Sequence, residues 1–202
     1  MINSGKKGKL EVVCGPMFSG KSEELIRRLR RAIIAKQHVA VFKPAIDDRY
    51  GIEQVRSHNG ASIEAYPIKD VQLILQEIEK HDYNVVGLDE VQFFAPEIIT
   101  IICLLVDKGL RVICAGLDLD FRGIPFGSMP TLLAIADEVT KFQAICTKCS
   151  SNAHFTQRLV NNMPAKFNDP IIMVGAQEKY EARCRNCYII DKAPAHVWQN
   201  QP

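Results

Sequence analysis

A parallel sheet with helices on its faces, followed by a small β module stapled by cysteines, is the architecture this sequence predicts. Two observations predict it. Over roughly the first 140 residues, short apolar runs alternate with amphipathic stretches of 10 to 15 residues, the rhythm of strands joined by helical crossovers. Beyond that point helical periodicity stops, and four cysteines arrive as two pairs, "CTKC" and "CRNC".

The elements follow in order. "LEVVCG", residues 10–15, reads as a short buried strand. "KSEELIRRLRRAIIAKQ" reads as a helix with Leu25, Ile26, Leu29, Ala32 and Ile33 on one face. Arg27, Arg28, Arg30 and Arg31 fall largely off that face and read as a solvated surface. "HVAVFKP", residues 38–44, is a second strand closed by Pro44, and "SIEAYPI" a third. A helix over "DVQLILQEIEKHD" precedes the strand "NVVGLDE". Pro96 opens and Gly109 stops a helix over "PEIITIICLLVDKG", and "RVICAGLD", residues 111–118, is another buried strand. The boundary is expected near Ala144, with short β pieces "AHFTQRLV" and "PIIMVGA" between the cysteine pairs behind it.

The 202 residues suit one domain with an appendage, or two small domains. A net charge of +2 gives no strong electrostatic case for nucleic acid or membrane as a partner. "MINSGKKGKL" is basic, but no apolar segment of a secretory signal follows it, and "EIITIICLLVD" is far too short to cross a bilayer. A cytoplasmic protein is expected. Cys14, Cys103 and Cys114 lie in apolar runs and read as small buried hydrophobes.

"GPMFSGKS", Gly15 to Ser22, fits G-x-x-x-x-G-K-[ST], with a strand before it and a helix after it. The backbone N–H groups of Gly15, Pro16, Met17, Phe18, Ser19 and Gly20, proline excepted, and the helix start form an anion receptor. Lys21 reaches the β- and γ-phosphates, and Ser22 offers a hydroxyl to Mg²⁺. With no N-K-x-D segment to read guanine, ATP is the expected triphosphate. A further strand runs into an acid pair, Asp89 and Glu90. Asp89 is placed to hold Mg²⁺ through its water shell, which leaves Glu90 for proton chemistry.

Cys146-x₂-Cys149 and Cys184-x₂-Cys187, with 34 residues between the pairs, supply four thiolates. That set suits tetrahedral Zn²⁺ with no open position, hence a structural site. A redox dithiol is the alternative, but neither pair begins a helix in a βαβ pattern. Ser150 and Tyr188, not glycine, follow the pairs.

The ordered set "GPMFSGKS", "DEVQFF", "FRGIPFGSMPTLLAIAD", "TQR" and "KYEARCRNC" resembles a thymidine kinase of the cellular, cytosolic type found in animals and many bacteria. The resemblance covers roughly residues 9 to 190. It implies a RecA-like P-loop domain over residues 1–143 and a zinc-stapled lasso over 144–202 that closes on the nucleoside. It implies ATP phosphates bound by Gly15 to Ser22, with Asp47, Arg49 and Gln92 near the nucleotide, Asp89 on magnesium, and Glu90 as catalytic base. Met17, Phe93, Leu117, Phe121, Phe126 and Thr156 are implied beside the nucleoside, with Ile171, Ile172, Met173, Val174, Gly175 and Tyr180 wrapping the thymine. Cys146, Cys149, Cys184 and Cys187 match the zinc ligands. A homotetramer and feedback inhibition by the thymidine triphosphate end product are also implied.

The physics of these roles is coherent by itself. A kinase needs a base within hydrogen-bond reach of the acceptor hydroxyl. A pyrimidine needs an aromatic face and a few donors and acceptors for its edge, which Phe93, Phe121, Phe126 and the backbone of "IIMVG" can supply. Taken alone, Phe121 and Phe126 also read as core, "IIMVG" as an ordinary buried strand, and Tyr180 as a packing residue. His58 and His154 read as polar structural groups. Two other functions stay open: an ATPase whose Glu90 orients water and whose cysteine module binds nucleic acid, and a nucleotide-binding regulator without turnover.

Overall fold

A computed structural model of the chain describes residues 7–45, 54–56, 60–171 and 178–191. Asp47, Arg49 and His58, and Ile172 to Gly175 with most of the expected "PIIMVGA" strand, lie outside the described residues.

The chain begins with β1 (Lys9–Cys14), α1 (Lys21–Ile34) and β2 (Val39–Pro44). A small antiparallel pair follows, β3 (Gln54–Arg56) with β4 (Ser62–Glu64), then β5 (Tyr66–Ile68) and α2 (Gln72–Lys80). Next come β6 (Val85–Leu88), α3 (Ile98–Asp107), β7 (Arg111–Gly116), α4 (Met129–Ile135) and β8 (Glu138–Lys141). Six of these strands form one sheet in the order β5-β2-β6-β7-β1-β8, and every pairing in it is parallel.

Side-chain alternation divides the core between the two faces. Leu10, Val12 and Cys14 of β1, with Ala40 and Phe42 of β2, Val86 and Leu88 of β6, and Val112 and Cys114 of β7, meet the apolar sides of α2, α3 and α4. Val13, Val41, Val85, Ile113 and Ala115 point the other way, onto Leu25, Ile26, Leu29 and Ala32 of α1. Covered on both sides, these strands read as continuous apolar runs, as parallel strands do. The helix lies close: a Cβ on Gly87 of β6 would come within 2.8 Å of Leu29 Cδ1.

The second set of strands is antiparallel. β9 (Ala144–Ile145) pairs with β10 (Asn152–Ala153). β11 (Phe155–Val160) is the middle strand of a three-stranded sheet, between β12 (Met163–Pro164) and β13 (Glu178–Arg183).

The structure corrects several expectations. The expected third strand divides into β4 and β5, which belong to different sheets. Arg28 is buried, because it sits at the margin of the α1 stripe directly over Glu11 of β1. Ile33 is 48% exposed, since the apolar stripe outlasts the sheet it lies on. Cys103 is exposed, because Ile98, Ile101, Ile102 and Leu105 define the inner face of α3 and position 103 points away from it. α4 and β8 had no clear periodic signal; α4 is two turns long, and β8 is a half-exposed edge strand.

Candidate active site

The phosphate loop sits where β1 ends. Gly15 has φ 141, and a Cβ there would lie 2.5 Å from the Phe142 carbonyl oxygen, so only glycine fits between the loop and the chain leaving β8. Gly20, at φ 88, caps α1. Phe18 is 47% exposed on the loop. Ser19 Oγ and Lys21 Nζ both donate to the Pro16 carbonyl, at 2.8 and 2.9 Å. Lys21 is buried; desolvation lowers its pKa, opposed by the charges of Glu90, Asp89 and Asp118. The Met17 N–H donates to Thr156 Oγ1 of β11 at 3.0 Å, which ties the loop to the second set of strands.

The acid pair follows β6, whose neighbours are β2 and β7. Asp89 is buried, and its N–H donates to the Phe42 carbonyl at 3.0 Å. Ser22 Oγ lies 3.5 Å from Asp89 Oδ1. Burial, then the neighbouring Glu90 charge, push Asp89 up to about 7. Glu90 itself sits in the left-handed region at φ 50 and ψ 41, just before a 3₁₀ turn, Val91–Phe93. That turn brings Gln92 back under Glu90, where the Gln92 amide N–H donates to Glu90 Oε2. Gln92 Oε1 accepts the Leu117 N–H at 3.0 Å. Gly127, at φ 50, allows the following segment to close on this turn: a Cβ there would lie 2.3 Å from the Gln92 carbonyl.

Phe93 and Phe126 meet edge to face, ring centroids 5.2 Å apart. Phe121 is buried and engaged elsewhere, with the Arg158 guanidinium over its ring at 4.9 Å. Arg158, fully buried on β11, also donates to the Pro170 carbonyl, next to the half-exposed Ile171. Tyr180 stands opposite Arg158 on β13. His154 donates its backbone N–H to Arg183 and is half-buried.

The four paired cysteines converge. The sulfurs of Cys146, Cys149, Cys184 and Cys187 all lie within 4.8 Å of one another, with Cys149 and Cys184 at 3.5 Å, and none forms a disulfide. Tetrahedral zinc at a Zn–S distance of about 2.3 Å sets its sulfurs roughly 3.8 Å apart, so this quartet fits the ion. Burial opposes ionisation of Cys146, but backbone donors from Cys184, Lys148 and Cys149 prevail and lower it to about 6. Cys149 is lowered too, first by Ser151. Cys187 goes the other way, pushed up to about 12 by the neighbouring Cys149 and Cys184. Zinc ligands must be deprotonated, so the donors favour that state at Cys146 and Cys149, and at Cys187 an ion would have to displace the proton.

The sequence does not single out Asp118, and it marks Gln92 without its bridging contact. Asp118, just beyond β7, is buried against Lys141 at 2.8 Å, and its charge acts on Lys21. An apolar strand running into an acid was its signal, the same signal that marked Asp89. Gln92 proves to be a buried bridge between Glu90 and the end of β7, a contact no local pattern encodes.

A parallel sheet whose first strand enters a helix through G-x₄-G-K-S, with an acid ending a nearby strand beside the loop serine, defines a P-loop fold of the nucleotide-dependent type. A family model described as thymidine kinase matches residues 8–188, and the chain belongs to that family. It is a kinase of the thymidine-phosphorylating class. Among the described residues no helix is long and apolar enough to cross a membrane.

Proposed function

We propose that this chain transfers the γ-phosphoryl group of ATP to the 5′-hydroxyl of thymidine, with deoxyuridine as a second acceptor, to supply thymidylate for DNA synthesis by salvage. One observation carries the reading. Adjacent acids have been given different surroundings: Asp89 is turned to Ser22, and Glu90, by its left-handed backbone, is turned to Gln92. A kinase needs that division between a metal acid and a base.

Each residue then has a task. Gly15 to Gly20 wrap the phosphates with backbone donors, and Lys21 exchanges the Pro16 carbonyl for phosphate oxygens. Ser22 and Asp89 fit Mg²⁺, because a buried carboxylate whose charge is disfavoured by its surroundings is stabilised by a cation. Bound there, Mg²⁺ supplies charge neutralisation on the β- and γ-phosphates. Glu90 takes the proton of the attacking hydroxyl, and Gln92 orients its carboxylate. Asp47 and Arg49, which lie outside the described residues, are assigned to the nucleotide by the family resemblance alone. Phe93 and Phe126 give the base its aromatic wall, and Met17, Leu117, Thr156 and Tyr180 are assigned to its surroundings, with Phe121 behind the wall under Arg158. Ile172 to Gly175 lie outside the described residues and keep the role the resemblance implies. Residues 144–202 act as the closing module on the 1–143 nucleotide domain, with structural zinc at its foot. Inhibition by the triphosphate end product follows if that product spans both sites. The exposed Ile33 and Ile34 offer apolar surface for assembly into a homotetramer.

The test is a transfer assay with γ-labelled ATP across the common nucleosides, with zinc measured on the same sample. Label on thymidine, with one ADP per nucleoside phosphorylated, is expected. ADP release driven by single-stranded DNA and indifferent to thymidine would replace this reading with an ATPase.

A further inference from the structure

The last cysteine pair ends in a tyrosine, and that tyrosine reaches across the molecule. The Tyr188 N–H donates to the Cys184 carbonyl at 2.9 Å, as the Cys187 N–H does at 3.1 Å, so the backbone of Tyr188 is part of the knuckle turn. Its ring stacks on Phe155 of β11, centroids 4.6 Å apart and planes 18° from parallel. Its hydroxyl donates to the Phe121 carbonyl at 2.6 Å, 67 residues away in sequence. Gly123 lies against the same stack: a Cβ there would be 3.4 Å from the Tyr188 hydroxyl and 3.5 Å from the Phe155 ring. The next residue is anchored as well, since the Ile189 N–H donates to Gln157 Oε1 at 2.9 Å.

The segment so held is the one that carries the aromatic wall. Phe121 is fixed twice, by Tyr188 on its carbonyl and by Arg158 over its ring. From there a tight turn, in which the Gly123 N–H bonds to Asp120 and the Asp120 N–H to Ile124, leads to Phe126. The Phe126 N–H bonds to Asp118, and its ring meets Phe93. We infer that Tyr188 is a positioning residue for the nucleoside: it couples the cysteine knuckle to segment 117–126 and so sets how tightly the acceptor is bound. A rigid lever of this kind cuts the ordering cost that binding would otherwise meet.

The inference rests on the proposed thymidine kinase reading for its ligand, but not for its mechanical claim. Tyr188→Phe removes the hydroxyl and keeps the stacked ring. Expected are a rise in thymidine KM of about fivefold, the size of one lost hydrogen bond, with kcat, ATP KM and zinc content held near wild type. Hydrogen exchange of the Asp120, Gly123 and Phe126 amides should quicken by a similar factor. Stripping zinc from the wild type with a chelator should quicken the same amides, and stripping Tyr188→Phe should add little further. Unchanged thymidine KM and unchanged exchange in the variant would overturn the inference, whatever the melting temperature does. So would additive effects of the variant and chelation, or loss of zinc on substitution. Should the wild type phosphorylate no thymidine, the function falls, and the exchange measurements still judge the coupling.

Discussion

Glu90 shows how a single backbone conformation assigns chemistry. A non-glycine residue in the left-handed region costs roughly 1 kcal/mol, and here it goes with two adjacent acids that have different partners, Ser22 for Asp89 and Gln92 for Glu90. Glu90→Gln keeps the shape, and the amide can still pair with Gln92. It is expected to lower kcat by about 10²–10⁴ while ATP and thymidine still bind, as calorimetry would show. Turnover near wild type would remove the base role from this position.

At the scale of elements, α1 is fastened to the sheet by charge as well as by apolar contact. Glu11 of β1 is 3% exposed and accepts from Arg28 at 2.7 Å and Arg111 at 2.7 Å. Burial would raise the Glu11 pKa, but Arg111 and then Arg28 hold it below the usual range. Glu11→Ala leaves Arg28 buried with fewer partners and should cost about 3 kcal/mol in urea unfolding, with kinetic constants unchanged, since Glu11 lies midway along β1 and the phosphate loop begins beyond its last residue, Cys14. Acid acts on two other paired carboxylates, Glu24 of α1 and Glu181 of β13. Arg27 and Arg28 hold Glu24 down to about 2, and Arg183 first, then Lys179, do the same for Glu181. A depressed folded pKa means the unfolded chain binds more protons, so this stability is full above about pH 4.5 and drains as pH falls toward 2. Urea midpoints measured from pH 5 to pH 3 should fall, and Glu24→Gln should flatten that slope.

Across the whole molecule, β11 joins the parts. Its Thr156 holds the phosphate loop, its Gln157 the end of the knuckle, and its Arg158 both Phe121 and Pro170. The cysteine quartet brackets that strand, and an ion held there would close a long loop by its ends. Cys184→Ser is expected to lose bound zinc and to raise thymidine KM more than ATP KM. Full metal content with both constants unchanged would count against a structural zinc.

The chain alone carried what local rules can encode. The phosphate loop is contiguous, so one strand, one turn and one helix suffice to write it. The parallel sheet was legible because strands covered on both faces must be apolar throughout, and the cysteine ligands because x₂ spacing is a local geometry. Three-dimensional packing decided the rest. Arg28 is inside because Glu11 lies beneath it, Cys103 is outside because its helix faces elsewhere, and SIEAYPI serves two sheets because neighbouring strands, not propensity, choose their partners. Gln92, Asp118 and Tyr188 acquire contacts from Leu117, Lys141 and Phe121, distant in sequence and brought together only when the strands assemble.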